Sequence, residues 1–156
     1  MTAEKVIAIL KYYPEIEGNI KFYRDRIKEY EQEYYTPCTS QDNDGQPKGK
    51  NHISRTTENI ALNIPAFVKP MIDEYEEKIE SQGRFRAAII KEISRLKRTQ
   101  KEIIFDRYIN DVKWEQVAQR NNYSVRQCDN IRRDAITALC GYFEANDTIR
   151  HFDISA

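Results

Sequence analysis

The chain has 156 residues, 25 Lys plus Arg against 25 Asp plus Glu, and is 40 % hydrophobic and 32 % charged. That length can bury the core of one or two small domains, and only five glycines and five prolines argue for long helices over a turn-rich β architecture. No stretch approaches the roughly 20 apolar residues of a membrane span and the N-terminus has no apolar signal core, so the expectation is an all-α, cytoplasmic protein with no membrane partner.

In chain order, Val6, Leu10, Tyr13, Ile20, Tyr23, Ile27, Tyr30 and Tyr34 recur at three- and four-residue steps, with Glu17 as the one polar interruption. This spacing predicts a long amphipathic helical segment. Pro14 breaks the hydrogen-bond ladder unless it stands at the first position of a helix, so the prediction is a short helix to about Lys11 and a longer one over 14–34. The seam formed by Ile20, Tyr23, Ile27, Tyr30 and Tyr34 predicts oligomerisation, because a short two-helix domain cannot bury it alone. Residues 36–55 hold Pro37, Pro47, Gly45 and Gly49 among polar side chains and read as a flexible loop. Its Lys48, Lys50 and Arg55 are better read as solvated than as phosphate contacts.

Helical signal returns near Thr57, is interrupted by Pro65 and Pro70, and continues through Ile72, Tyr75 and Ile79. Gly83 marks an expected kink or boundary. Beyond it Phe85, Ile89, Ile93 and Leu96 line one face of a helix that leads into the next unit. The expected organisation is an N-terminal long-helix hairpin domain (1–83, with the loop 36–55), a basic helical domain (84–145) and a C-terminal tail (146–156).

Residues 99–143 carry the most information. A first helix runs through Gln100, Ile103, Ile104, Arg107, Tyr108 and Ile109. A second begins near Trp114 and turns Val117 and Ala118 inward, and a third opens at Ser124. Ser124 and Gln127 have the spacing of a capping box, in which the serine oxygen accepts a first-turn N–H and the glutamine returns to the N–H of the cap. Between the second and third helices Asn121 and Asn122 supply a residue that tolerates positive φ. This is the pattern of a helix-turn-helix bundle.

At about 100° per residue the third helix places Cys128, Ile131, Ala135, Leu139 and Tyr142 on one face, with Val125 and Ala138 at its margins. Arg126, Asn130, Arg133 and Thr137 lie on the other, and Gln127 flanks it. Arginine can bind guanine O6 and N7 with two hydrogen bonds, and asparagine or glutamine can do the same to adenine N6 and N7. Arg126, Gln127, Asn130 and Arg133 are therefore the expected base readers. Lys97, Arg98, Lys101, Lys113, Arg120 and Ser124 border the unit and are the expected phosphate contacts, which fix register without carrying sequence information. The charge balance agrees: residues 84–133 hold 13 Lys plus Arg against 6 Asp plus Glu, a net +7 that the remainder of the chain offsets. Phosphate neutralisation dominates nucleic-acid affinity, so double-stranded DNA is the expected partner of the basic part. The acidic part is expected to meet protein, including a second copy of the chain.

Other chemistries find little footing. Cys38, Cys128 and Cys140 have unrelated spacings and read as reduced structural cysteines. Cys38, His52 and His151 make no ligand pair of the kind a four-ligand zinc site uses, so no metal is expected. No glycine-rich phosphate loop, nucleophile elbow or metalloprotease motif occurs, so neither a cofactor nor an enzyme is expected.

Residues 96–139 resemble region 4 of sigma-70-type factors, with Arg107-Tyr108, Trp114-Glu115, Val117-Ala118 and Ser124 at the matching positions. The segment from Leu10 to Glu17, followed by a helix, a polar loop and another helix, resembles the ArpU and RinA group of phage late-gene transcription regulators. Asn121-Asn122 stands where that family often has glycine. The resemblance implies a phage or prophage activator in a bacterial host cell, bound upstream of the late operon for packaging, morphogenesis and lysis, with host RNA polymerase as a further partner. Two other classes share the same parts: a small terminase subunit bound to a packaging site, and a regulator that meets polymerase without reading DNA.

Overall fold

A computed structural model of the chain describes residues 1–34 and 65–154. The expected loop 36–55 with Lys48, Lys50 and Arg55, the residues Cys38 and His52, and the helical signal near Thr57 lie outside the described residues, as does the side chain of Tyr34. Among the described residues every regular element is helical: α1 (Ala3–Tyr34), α2 (Val68–Ser94), α3 (Arg98–Ile104), a π-helical turn (Phe105–Ile109), α4 (Trp114–Asn121), α5 (Val125–Glu144) and the short α6 (Asp147–Arg150).

The break expected at Pro14 does not occur, and α1 is one helix with Pro14 inside it. A proline within a helix costs about 3 kcal/mol. On either side of Pro14, however, Val6, Ile9, Leu10, Ile16 and Ile20 are all buried in one core, and each such side chain contributes roughly 1.5–3 kcal/mol on burial. Packing therefore outweighs the lost hydrogen bond, while the proline ring itself faces solvent. Pro70 is likewise accommodated, in the first turn of α2, where its missing N–H would have had no partner. Gly83 does not end a helix either. The division expected at residue 83 falls inside α2, which carries Gln82, Phe85, Ile89, Glu92 and Ile93 into the core.

α1 and α2 pack antiparallel. Tyr12 meets Gln82, Tyr13 meets Arg86, and further along Tyr23 and Tyr30 lie 5.8 and 6.2 Å from the ring of Tyr75. Arg86 also pairs with Glu17 across the two helices, which accounts for the single polar interruption in the seam. The same core takes in Ile104, then Ala135, Ile136, Leu139 and Phe143 of α5, and Ile149 of α6. The C-terminal residues are part of this packing: Phe152 stacks on Phe85 at 3.7 Å, and the amino group of Met1 pairs with Glu144 at 2.7 Å.

A second, smaller core joins Ile103, Val117, Ala118 and Cys128, with Val112, Trp114 and Ile131 against it. Ile103 and Ile104 are both fully buried, but in different cores. Neighbours on a helix point about 100° apart, so α3 serves as the shared wall between the α1–α2 pair and the α4–α5 unit.

Candidate nucleic-acid interface

The first helix of the basic unit is shorter than its spacing predicts. Its α-helical hydrogen bonding ends at Ile104 and the chain widens into the π turn, closed by Asn110 N–H on the Phe105 carbonyl at 2.9 Å and by Val112 N–H on the Asp106 carbonyl at 2.8 Å. Asp111, at φ 48°, reverses the chain, and Arg107 secures the reversal by donating to the Val112 carbonyl at 3.2 Å. The Asn110-Asp111 pair is a turn signal, because asparagine and aspartate tolerate the left-handed region; the π turn before it has no comparable mark in the sequence.

α4 ends at Asn122, which adopts the left-handed conformation (φ 55°, ψ 40°). Asn122 N–H donates to the Gln119 carbonyl and Tyr123 N–H to the Ala118 carbonyl, at 3.3 and 3.0 Å. This is the hydrogen-bond pair of a Schellman ending, with asparagine in the role usually held by glycine. Two residues later Ser124 caps α5. Its hydroxyl accepts from Gln127 N–H at 3.2 Å, and its own N–H donates to Gln127 Oε1 at 2.9 Å. The capping box is therefore formed as the spacing predicts. Val117 and Ala118 of α4 pack on Cys128 of α5, which fixes α4 against the first turns of the following helix. Burial pushes the Cys128 thiol up, so it stays a neutral packing group.

The buried and exposed faces of α5 divide nearly as expected. Cys128, Ala135 and Leu139 are buried, Ile131 and Tyr142 half-buried, and Ile136 and Phe143 join them inside. Arg126, Gln127, Asn130, Arg133 and Thr137 are all exposed. Their chemical availability differs, however. Arg126 has no ion pair among the described residues, whereas Arg133 is held by Asp129 at 2.9 Å. Asp129 also holds Arg132 at 2.8 Å, and Arg132 donates to the Tyr108 hydroxyl of the π turn at 3.2 Å. Gln127 is committed to the cap: its Oε1 accepts from both the N–H and the hydroxyl of Ser124. That leaves its Nε2 as a donor and removes the acceptor that a bidentate adenine contact needs.

The expected phosphate contacts fall into two groups. Arg98, Lys101 and Arg120 come together around an open cleft of about 440 Å³ between α3 and α4, with Glu102 and Asp106 in its wall. Arg98 pairs with Glu102 at 2.9 Å and Arg120 with Asp106 at 3.3 Å, so Lys101 is the least neutralised cation of the cleft. Lys97, Lys113 and Ser124 are exposed outside it. Asp106 and Asp129, which temper three of the arginines, were not singled out from the sequence. The signal for Asp129 was present in its three- and four-residue spacing to Arg132 and Arg133.

The expected oligomerisation seam is spent largely within the chain. Ile20 is 6 % exposed in the core, and Tyr23 and Tyr30 pack on Tyr75 of α2; Ile27 is half-buried. No group of His, Cys, Asp or Glu among the described residues could hold a metal ion, and no helix there is long and apolar enough to cross a membrane. No family model, curated protein or solved structure matches the chain.

Proposed function

We propose that residues 96–145 form a helix-turn-helix of the sigma region-4 type that reads double-stranded DNA, and that the chain regulates phage or prophage late-gene transcription without catalysis. The observation that carries this reading is the exposed face of α5. Arg126, Asn130 and Arg133 project from one side of a helix whose N-terminus is fixed by the Ser124 cap and backed by α4. A helix presented in that way can enter the major groove with its first turns against base edges. Lys101 and Arg120 border the same unit, where phosphate contacts are usually made. The antiparallel α1–α2 pair is the proposed N-terminal hairpin. A second copy of the chain and host RNA polymerase are the further partners of the activator.

Mapping the genomic fragments bound by the full chain tests the reading. Recovery of a late-operon promoter is expected. Recovery of a packaging site would instead make the protein a small terminase subunit, and polymerase binding without any DNA binding at low salt would leave a regulator that does not read DNA.

A further inference from the structure

Among the described residues the large hydrophobic side chains left exposed are Phe22, Phe67, Met71, Tyr123 and Val125. The last two stand on either side of Ser124, at the turn that leads into α5, and are 39 % and 45 % exposed. A singly exposed apolar residue needs no explanation in general. These two are distinguished by their surroundings. Val125 is the first residue of α5, so the serine cap fixes its backbone. Arg126, which has no ion pair among the described residues, follows Val125 in the first turn of α5, and Arg120, paired with Asp106, stands in the last turn of α4 just before the same turn. An apolar group beside the Arg126 cation, with Asp129 one turn further on already held by Arg132 and Arg133, suits a polyanion that also presents an apolar feature, rather than a lipid or an apolar protein face.

The major groove of DNA offers one such feature. Thymine projects its C5-methyl group there, and small apolar side chains recognise it by contact. We infer that Val125 is a specificity-determining residue that reads a thymine methyl group in the major groove, with Tyr123 extending the apolar surface on the other side of the cap. The inference rests on the proposal that α5 reads DNA and adds the base that its first residue selects. The N-terminal residues of an inserted helix are the ones that reach base edges. A valine there has no hydrogen-bonding group, so its selectivity is confined to shape and to the methyl itself.

The test uses full-length protein and duplexes enriched from a random-sequence pool. Each thymine of the enriched site is replaced in turn by deoxyuridine, which removes only the methyl group. At one thymine or more, wild-type binding is expected to weaken about fourfold, the equivalent of about 0.8 kcal/mol for one buried methyl. Val125→Ala should bind thymine and deoxyuridine duplexes alike while keeping wild-type affinity for nonspecific DNA and the wild-type melting temperature. The inference is overturned if the enriched site lacks thymine, if every deoxyuridine duplex binds wild type as tightly as its parent, or if Val125→Ala keeps the wild-type ratio. Those results leave DNA reading intact when Arg126→Ala still weakens binding to the enriched site. Failure to enrich any sequence overturns DNA reading and this inference together.

Discussion

Under the proposed function, base reading should depend most on Arg126 and Asn130, which are exposed on one face of α5, Arg126 without an ion pair among the described residues. Arg126→Ala or Asn130→Ala should weaken binding to the cognate duplex by about 1–3 kcal/mol, as expected for loss of a bidentate base contact. Nonspecific binding should change much less, and titrations with cognate and scrambled duplexes check this. Arg133 is partly occupied by Asp129, so its removal should cost less than that of Arg126. Phosphate contacts behave differently. Lys101→Gln or Arg120→Gln should weaken specific and nonspecific DNA together and reduce the magnitude of the salt slope by about one per lost contact. An unchanged slope in both variants would move the phosphate contacts elsewhere. At this scale the identity and exposure of the cations were legible in the sequence, since a helical wheel is enough to place them. Their pairing was only partly so. Asp129 with Arg132 and Arg133 is a local spacing, but Asp106 meets Arg120 and Arg132 meets Tyr108 across helices, and no local pattern encodes such meetings.

Each end of the α4–α5 turn is set by one side chain. Ser124→Ala removes the acceptor for Gln127 N–H and should lower stability by about 1 kcal/mol. Asn122→Ala places a Cβ-bearing residue without a local hydrogen-bonding group in the left-handed region and should cost about 1–2 kcal/mol, whereas Asn122→Gly should be tolerated. Thermal or denaturant unfolding of the three variants gives both magnitudes and order. The cap and the asparagine turn were readable because their chemistry is local to three or four residues. Pro14 and Gly83 pointed the wrong way for the complementary reason. Local propensity disfavours a helix at both, yet α1 runs on because buried side chains before and after Pro14 belong to a single core, and α2 runs on because the half-buried Ile79 before Gly83 packs against the same core that takes in Phe85 and Ile89 after it.

Across the whole molecule the α1–α2 pair and the α4–α5 unit share packing through α3 and α5, and a buried polar link joins α2 to the start of α6. Glu92 is 5 % exposed and accepts from Arg95 at 2.7 Å and from Asn146 at 2.9 Å, tying α2 to the cap of α6. Burial pushes its carboxyl up, but the bonds from Asn146 and Arg95 outweigh it and hold the group below its ordinary value. A depressed carboxyl contributes stability above its unfolded-state value, about 4.3 for glutamate, and loses that contribution as pH falls through the folded-state value. Glu92→Gln should therefore destabilise the protein by about 1–2 kcal/mol near neutral pH, and the difference from wild type should shrink as pH falls from about 5 toward 3. Denaturant melts across that range check the sign; a difference that grew on acidification would contradict it. The fate of the apolar seam is a second test at this scale. Ile20→Asp should cost at least about 3 kcal/mol and unfold the helical pair rather than release folded monomers, because Ile20 lies inside the chain's own core. Sedimentation combined with circular dichroism separates the two outcomes.

By itself the sequence determined the all-helical class, the capped start of α5, the left-handed asparagine and the basic face that follows them. All of these depend on residues a few positions apart, and a helix turns such spacings directly into faces and ends. Tertiary structure alone decided which local breaks are overridden and what covers each face: the continuity of α1 through Pro14, the π turn after Ile104, the burial of Ile103 and Ile104 in different cores, and the closing of the Ile20 and Tyr23 seam against α2. Those outcomes turn on burial summed between segments many tens of residues apart. Such a sum can exceed a local cost of about 3 kcal/mol, and nothing in the spacing of neighbouring residues records which distant surface will supply it.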